Sequence, residues 1–195
     1  MKSEFFWYDN DLRIPIPKLF HSLEHDGPFQ NCTLCGSFLQ GRNDRYIIQR
    51  VFQKDEPILE LAMCMSCRDE QSLELSDESR ERIEQYIRQT LDLQPRVEKI
   101  DQVESLDSLD PWLNECLLTG NSWSSATRRS ICGICYGDEL ELTHLFPYMI
   151  TGMAEEALSE RVSQKTRDWM NDFVGTNFGM PPEFCDAPDM APMFF

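Results

Sequence analysis

The strongest constraint on the fold is a set of four cysteines arranged as two C-x2-C pairs. Cys32 and Cys35 form one pair, Cys64 and Cys67 form the other, and 28 residues separate the pairs. Each pair fits a zinc knuckle, a tight turn that presents two thiolates to one metal ion, and two knuckles complete a tetrahedral Zn²⁺ site. We therefore expect one zinc ion at these four cysteines. Because they occupy every coordination position, we expect the ion to be structural and not catalytic.

The residues between the two pairs predict the hairpin that would bring the knuckles together. RYIIQRVFQ (45–53) is rich in β-branched and aromatic residues, KDEP makes a polar turn, and ILELAM (58–63) has the pattern of a returning strand. Further along, Ser76 is a favourable N-cap for an amphipathic helix, whose apolar positions are Ile83, Tyr86, Ile87 and Leu91. A hairpin followed by such a helix is the layout of a zinc-ribbon or treble-clef-like unit.

The sequence of the second half of the chain is weakly similar to that of the first half. A shift of 84 residues without gaps aligns 31–67 with 115–151 and gives seven identities in 37 positions, including Cys32 with Cys116 and Gly36 with Gly120. After three extra residues, LSDESRERIEQYI (75–87) aligns with VSQKTRDWMNDFV (162–174). We therefore expect an α+β fold of two related units, each a β-hairpin followed by an amphipathic helix.

In this alignment the second unit lacks the four-cysteine site. The positions of Cys35, Cys64 and Cys67 are taken by Thr119, Tyr148 and Thr151, and only Cys116 remains. The predicted organisation is a zinc-ribbon-like unit at 1–93, an acidic linker at 94–111, a degenerate second copy at 112–180 and a Pro/Met-rich tail at 181–195. An apolar residue recurs every third position from Val97, a period that favours an extended or 3₁₀ connector over an α-helix.

Cys132 and Cys135 form a third C-x2-C pair with two interpretations. The alignment places them on Ile48 and Val51 within a strand, where they would be small apolar core residues. Alternatively, they could bind a second zinc ion together with Cys116 and a fourth ligand, which would be His144 or Cys185. The alignment favours the core interpretation and leaves the second metal site as the alternative.

The charge of the chain limits its partners. A net charge of −16 repels phosphate backbones and anionic lipid headgroups, so nucleic-acid and membrane-surface binding are disfavoured. The nearest basic candidates are interrupted by acidic residues and indicate a solvated strand face; they are Arg42, Arg45, Arg50, Lys54, Arg128 and Arg129. There is no run of 18 apolar residues, and the amino terminus lacks the apolar stretch of a signal peptide. We therefore expect a cytoplasmic protein whose thiols are reduced.

Over residues 31–92, the paired knuckles, the intervening hairpin and the LSDESRERIEQYI helix resemble a group of bacterial zinc-ribbon-type proteins of uncharacterised activity. The resemblance is fainter over 112–182. It implies a zinc-binding fold in a bacterial cytoplasm and implies no particular activity.

The sequence contains no recognisable catalytic motif. It has no G-x-S-x-G, no H-E-x-x-H and no glycine-rich phosphate loop. We therefore expect a non-catalytic, zinc-stabilised module that binds a protein partner. One alternative is a nucleic-acid or transcription-associated zinc-ribbon protein. The other is a thiol-dependent enzyme that uses the pair Cys132 and Cys135, or Cys185 together with His144.

Overall fold

The chain combines an antiparallel sheet with α-helices in a computed structural model that describes residues 12–41 and 44–178. In these ranges the strands are β1 (Arg13–Pro15), β2 (Arg45–Gln53), β3 (Glu56–Cys64), β4 (Arg128–Tyr136), β5 (Glu139–Glu141) and β6 (Tyr148–Thr151). The α-helices are α1 (Met65–Leu73), α2 (Asp77–Thr90), α3 (Gln94–Ile100), α4 (Asp110–Leu113), α5 (Gly152–Ser159) and α6 (Gln164–Phe178). Among the helices in these ranges, none is both long enough and apolar enough for a membrane span. The predicted tail at 181–195 lies outside the described residues.

One sheet crosses both halves of the chain. The strand order is β1-β5-β4-β2-β3, and β6 pairs with β4 beside β5. The central pair, β2 with β4, is in register over nine positions, from Arg45 opposite Tyr136 to Gln53 opposite Arg128. A single hydrophobic core runs through residues of both halves. The described parts of the predicted units 1–93 and 112–180 therefore share one sheet and one core.

The two central strands are buried on both faces, including polar residues such as Gln49 and Ser130. The interior positions of β2 and β4 are all buried, whereas the terminal residues of both strands are more accessible. One face carries Ile47 and Val51, and the other carries Tyr46 and Ile48, because successive strand residues point to opposite sides. Helix α1 and the 3₁₀ turn Lys18–Phe20 contact β2, and helix α5 contacts β4.

The arginines expected on a solvated strand face include two that are buried, so that expectation was wrong for them. Arg50 and Arg129 are each only 4% exposed. Arg50 donates to the carbonyl of Leu19 at 2.8 Å, and Arg129 pairs with the carboxylate of Asp55 at 2.7 Å. The guanidinium of Arg129 also lies 3.9 Å from the ring centre of Trp123. These internal partners offset the cost of removing the two charges from water.

Part of the predicted linker is an α-helix, α3 (Gln94–Ile100), so the expectation of an extended or 3₁₀ connector from Val97 was wrong for residues 97–100. A proline in its first turn suits a helix start. The guanidinium of Arg96 fastens the helix to the second half by donating to four backbone carbonyls, those of Trp112, His144, Leu145 and Pro147. Burial of this guanidinium lowers the pKa of Arg96 to about 10. These long-range contacts outweigh the weak local pattern of the sequence.

The longest helix of each half, α2 in the first and α6 in the second, begins beside the other. Ser76 Oγ accepts from the backbone N–H of Ser79 at 3.2 Å, and Ser163 Oγ accepts from that of Thr166 at 3.3 Å. The N-termini of the two helices are also joined by a reciprocal pair of hydrogen bonds. The N–H of Ser163 donates to Ser79 Oγ at 2.8 Å, and the N–H of Ser76 donates to Thr166 Oγ1 at 3.2 Å.

Candidate metal centre

The structure brings Cys32, Cys35, Cys64 and Cys67 together as the sequence predicts. Their four Sγ atoms all lie within 4.8 Å of one another, and those of Cys35 and Cys64 are 3.9 Å apart. Four sulfurs bound tetrahedrally to Zn²⁺ at about 2.3 Å are separated by about 3.8 Å, so only a small contraction is needed. Within residues 12–41 and 44–178 this is the one group of three or more His, Cys, Asp or Glu ligands with such spacing. The group could therefore hold a metal ion.

The first pair sits on a tight backbone turn, the first knuckle, at Cys32–Gly36. The N–H of Gly36 donates to the carbonyl of Cys32 at 2.9 Å, and the N–H of Cys32 donates to that of Ser37 at 2.8 Å. Gly36 has a φ of +69°, a conformation that glycine adopts without the steric cost of a side chain. The N–H of Thr33 donates to the carbonyl of Ala62 at 2.8 Å and so fastens the knuckle to β3.

The second pair lies where β3 passes into α1. Cys64 is the last residue of the strand and the N-cap of the helix, and Cys67 is the third residue of α1. The N–H of Cys64 also donates to Cys32 Sγ at 3.5 Å, which links the two pairs directly. The positive end of the helix dipole thus faces a group that becomes negatively charged when it ionises.

The thiols of this group differ in their tendency to ionise. Hydrogen bonds from the side chain and backbone of Ser37 lower the pKa of Cys35, the one exposed member, to about 6. Burial raises the pKa of Cys32 and of Cys67. A metal ion binds thiolates, and the lowered pKa of Cys35 favours its thiolate, whereas the raised pKa values of Cys32 and Cys67 mean that their protons must be released as the ion enters.

Among the described residues, those of the alternative second site form no group of three or more with metal-ligand spacing. Cys132 and Cys135 are buried within β4, three positions apart, so their thiols point to opposite faces of the sheet and cannot form a knuckle. Burial raises the pKa of both, that of Cys132 to about 12. His144 Nε2 lies 2.9 Å from a carboxylate oxygen of Asp101. Cys185 lies outside the described residues.

Cys116 occupies a turn, the second knuckle (Cys116–Gly120), that repeats the bonds of the first. The N–H of Gly120 donates to the carbonyl of Cys116 at 2.9 Å, and the N–H of Cys116 donates to that of Asn121 at 2.8 Å. Gly120 has the same φ as Gly36, +69°. The N–H of Leu117 donates to the carbonyl of Met149 at 2.8 Å, as Thr33 does to Ala62.

These contacts correct the alignment around the second knuckle. The N–H of Thr151 donates to Cys116 Sγ at 3.4 Å, and Thr151 is the N-cap of α5. Thr151 therefore stands where Cys64 stands in the first half, and Ala154 stands where Cys67 does. The gapless alignment placed Tyr148 and Thr151 at these positions, because it put the extra residues after the last strand. The structure puts them before β6, between β5 and β6.

The signal for this correction was present in the sequence. The two helices align with an offset of 87 residues, whereas the knuckles align with an offset of 84. The sequence left the position of the insertion between them open, and the pairing of β4 with β6 together with the hydrogen bonds to Cys116 and Met149 fixes it. Comparison with known proteins adds no template, since no family model, curated protein or solved structure matches the chain.

Proposed function

We propose that the four-cysteine group binds one structural Zn²⁺ and that the chain is a non-catalytic, cytoplasmic module that binds a protein partner. The observation that carries the metal assignment is the set of four Sγ atoms within 4.8 Å. Four thiolates in a tetrahedral arrangement select zinc or an iron–sulfur centre among biological metals. Two knuckles with one ion between them fit zinc, and the four sulfurs fill its coordination sphere. A saturated ion of this kind stabilises the fold and activates no water.

The arrangement supports a treble-clef-like unit. The first knuckle precedes a β-hairpin formed by β2 and β3, and the second pair of cysteines lies at the start of α1. The ion would hold together two parts of the chain that are distant in sequence. Its loss would release the knuckle from β3 and the start of α1.

We further propose that the two halves arose by internal duplication. The two knuckles share their hydrogen bonds, and the helices α2 and α6 begin with the same serine cap. Both halves also pair a central strand antiparallel with the strand that ends at the helix N-cap, Cys64 or Thr151, although the register in the second half is shifted by one residue from the offset of the knuckles. Independent origins would not be expected to repeat both the hydrogen bonds of the knuckle and the capping bonds.

The surface supports a protein as the partner and not a nucleic acid. The net charge is −16, and several of the basic residues are bound within the molecule, as Arg45 is to Glu141 and Arg129 is to Asp55. Within the part of the chain that the structure describes, four large apolar side chains are more than half exposed; they are Leu23, Phe38, Leu73 and Met153. Each of these side chains would bury apolar area if a protein partner covered it, and none contributes to phosphate binding.

Affinity capture with the zinc-loaded full-length chain tests this proposal. The matched control replaces the four exposed apolar residues with serine, a change that should leave the zinc content and the unfolding midpoint unaltered because none of them is buried. We expect a protein partner to be retained by the wild type at near-equal stoichiometry and to be lost with the control. Salt-sensitive retention on heparin, or recovery of nucleic acid in place of protein, would support the nucleic-acid alternative instead.

A further inference from the structure

We infer that the second half retains the backbone of a four-thiolate zinc site around Cys116, and that residues 119, 151 and 154 are its three missing ligand positions. The inference takes the proposed zinc site of the first half as its template. It predicts that thiols at these three positions suffice to create a second metal centre in this chain.

Thr119 occupies the place of Cys35 in the second knuckle. The N–H of Asn121 donates to Thr119 Oγ1 at 3.4 Å, just as the backbone N–H of Ser37 donates to the sulfur of Cys35. Both Thr119 and Cys35 are exposed, at the same position of a turn with the same glycine conformation. A cysteine at 119 would therefore present its sulfur as Cys35 does.

The side chain of residue 151 already points at the remaining cysteine. Thr151 Oγ1 donates to Cys116 Sγ at 3.6 Å, and the N–H of Thr151 contacts the same sulfur at 3.4 Å. The backbone angles also agree, with φ −85° and ψ 158° at Thr151 against φ −65° and ψ 154° at Cys64. A thiol at 151 would lie beside that of Cys116, as Cys64 lies beside Cys32.

Ala154 completes the set from the first turn of α5. It is the third residue of that helix, as Cys67 is the third residue of α1. From 151 to 154 the residues are buried, half-buried, exposed and buried, and the same order holds from 64 to 67. Ala154 is fully buried, so the change to cysteine adds one sulfur atom on the side where Cys67 carries its own.

The ligand of the restored site would be a soft divalent cation, Zn²⁺ or its spectroscopic substitute Co²⁺. In the natural chain one thiol faces two threonine positions and an alanine, a set that lacks the thiolates such an ion requires. The natural chain should therefore bind one zinc ion, at the first site. Binding at the restored site would release protons from the added thiols.

The test uses the full-length protein with Thr119→Cys, Thr151→Cys and Ala154→Cys combined. We expect zinc per chain to rise from one to two, and the tetrathiolate ligand-field spectrum with Co²⁺ to double in intensity. Addition of Cys116→Ser should return both readings to the wild-type level. A control with Thr119→Cys and Tyr148→Cys takes its second thiol from the gapless alignment in place of residue 151, and it should stay at one zinc.

A triple variant that folds, shows its added thiols by titration and still binds one zinc would overturn the inference. If Ala154→Cys prevents folding, Thr119→Cys with Thr151→Cys supplies three thiols including Cys116, and Co²⁺ should still bind there with lower affinity. No additional Co²⁺ in that variant would also overturn it. Zinc per chain in the wild type tests the first site separately, since a wild type without zinc contradicts the proposed function. A gain of one ion in the triple variant relative to the wild type supports the restored site whether or not the wild type binds zinc.

Discussion

At the scale of single residues, the cysteines of this chain differ sharply in exposure. Cys35 is exposed and the pKa of its thiol is lowered to about 6, whereas Cys132 and Cys135 are buried and the pKa of each is raised. A thiol must be accessible and ionised to act as a nucleophile. The buried pair is therefore poorly suited to the thiol-dependent enzyme that was an alternative from the sequence.

Alkylation of the metal-free, full-length protein with iodoacetamide at neutral pH should modify Cys35 first. We expect Cys132 and Cys135 to remain unmodified until the protein unfolds, and prior addition of zinc should protect Cys35. Peptide mapping by mass spectrometry measures each site. Modification of Cys132 or Cys135 in the folded protein as fast as that of Cys35 would contradict this account and favour a reactive second pair.

The burial of Cys132 also predicts a dependence of stability on alkaline pH. Its pKa is about 12 in the fold against an ordinary value of 9.0, so the folded state holds its proton more tightly. The resulting stabilisation is complete below pH 9 and is lost as the pH rises from 9 towards 12. Over that window the slope from one thiol is at most about 1.4 kcal/mol per pH unit. Urea unfolding of Cys132→Ala should therefore show a shallower decline with pH than the wild type, and equal slopes would contradict the assignment.

Arg96 should contribute strongly to stability although it lies in a segment that looks like a linker. Arg96→Met leaves the four carbonyls around the guanidinium without their donor, and we expect a loss of about 2–4 kcal/mol in the free energy of unfolding. Arg88 in α2 has a side chain that is 74% exposed, so Arg88→Met is a suitable control with an expected change within about 0.5 kcal/mol. Equal effects of the two changes in urea titrations would contradict the anchoring role.

At the scale of elements, the sequence predicts those parts whose signals are local. RYIIQRVFQ is β2 over the residues expected, and Ser76 caps α2 as expected, because side-chain shape and capping chemistry act within a few residues. The sequence does not reveal that β2 pairs with β4, since either edge of an apolar strand can accept a partner. The sequence does not predict helix α3 either, because the helix is held by Arg96, whose partners include the carbonyls of residues 48 and 49 positions further along the chain.

The candidate metal centre shows the same contrast between features that local sequence predicts and features that depend on distant contacts. The four ligands follow from spacing alone, because two C-x2-C pairs joined by a hairpin have few other arrangements. The equivalence of Thr151 with Cys64 and of Ala154 with Cys67 does not follow from the sequence. The alignment of the two halves is weak, and the insertion in it can be placed at several positions. Strand pairing and the contact of Thr151 with Cys116 resolve it.

The hydroxyl cluster where α2 and α6 begin should couple the two helices energetically. Ser79 is fully buried, donates to Thr166 Oγ1 at 2.9 Å and accepts from the N–H of Ser163. Ser79→Ala leaves that N–H without a side-chain acceptor, so we expect a loss of about 1–2 kcal/mol. The loss from Ser79→Ala combined with Thr166→Val should be smaller than the sum of the two single losses, because the partners are removed together. Strict additivity in a double-mutant cycle would contradict the coupling.

At the scale of the whole molecule, the shared sheet ties the proposed zinc site to both halves. The pairing of β2 with β4 and the single core leave no boundary across which one half can unfold alone without exposing apolar surface. The acidic segment 94–111 connects the two halves in sequence, and its helix α3 is bound to the second half through Arg96. The proposed zinc ion should stabilise β4 and α6 as well as the hairpin next to it.

Removal of zinc by chelation should therefore raise hydrogen exchange in both halves. We expect amides of β4 to lose protection together with those of β2 and β3, because they belong to one cooperative unit. Exchange measured by mass spectrometry on the full-length chain, with and without chelator, provides the comparison. Loss of protection restricted to residues 12–93 would show that the halves unfold independently.

The central claim is that Cys32, Cys35, Cys64 and Cys67 hold one zinc ion, and anomalous scattering at the zinc absorption edge on a crystal of the zinc-loaded full-length protein tests it most directly. The expected result is one anomalous peak per chain, at the centre of these four sulfurs and about 2.3 Å from each. A peak at Cys116, Cys132 or Cys135, or a map with no peak among the four sulfurs, would contradict the claim.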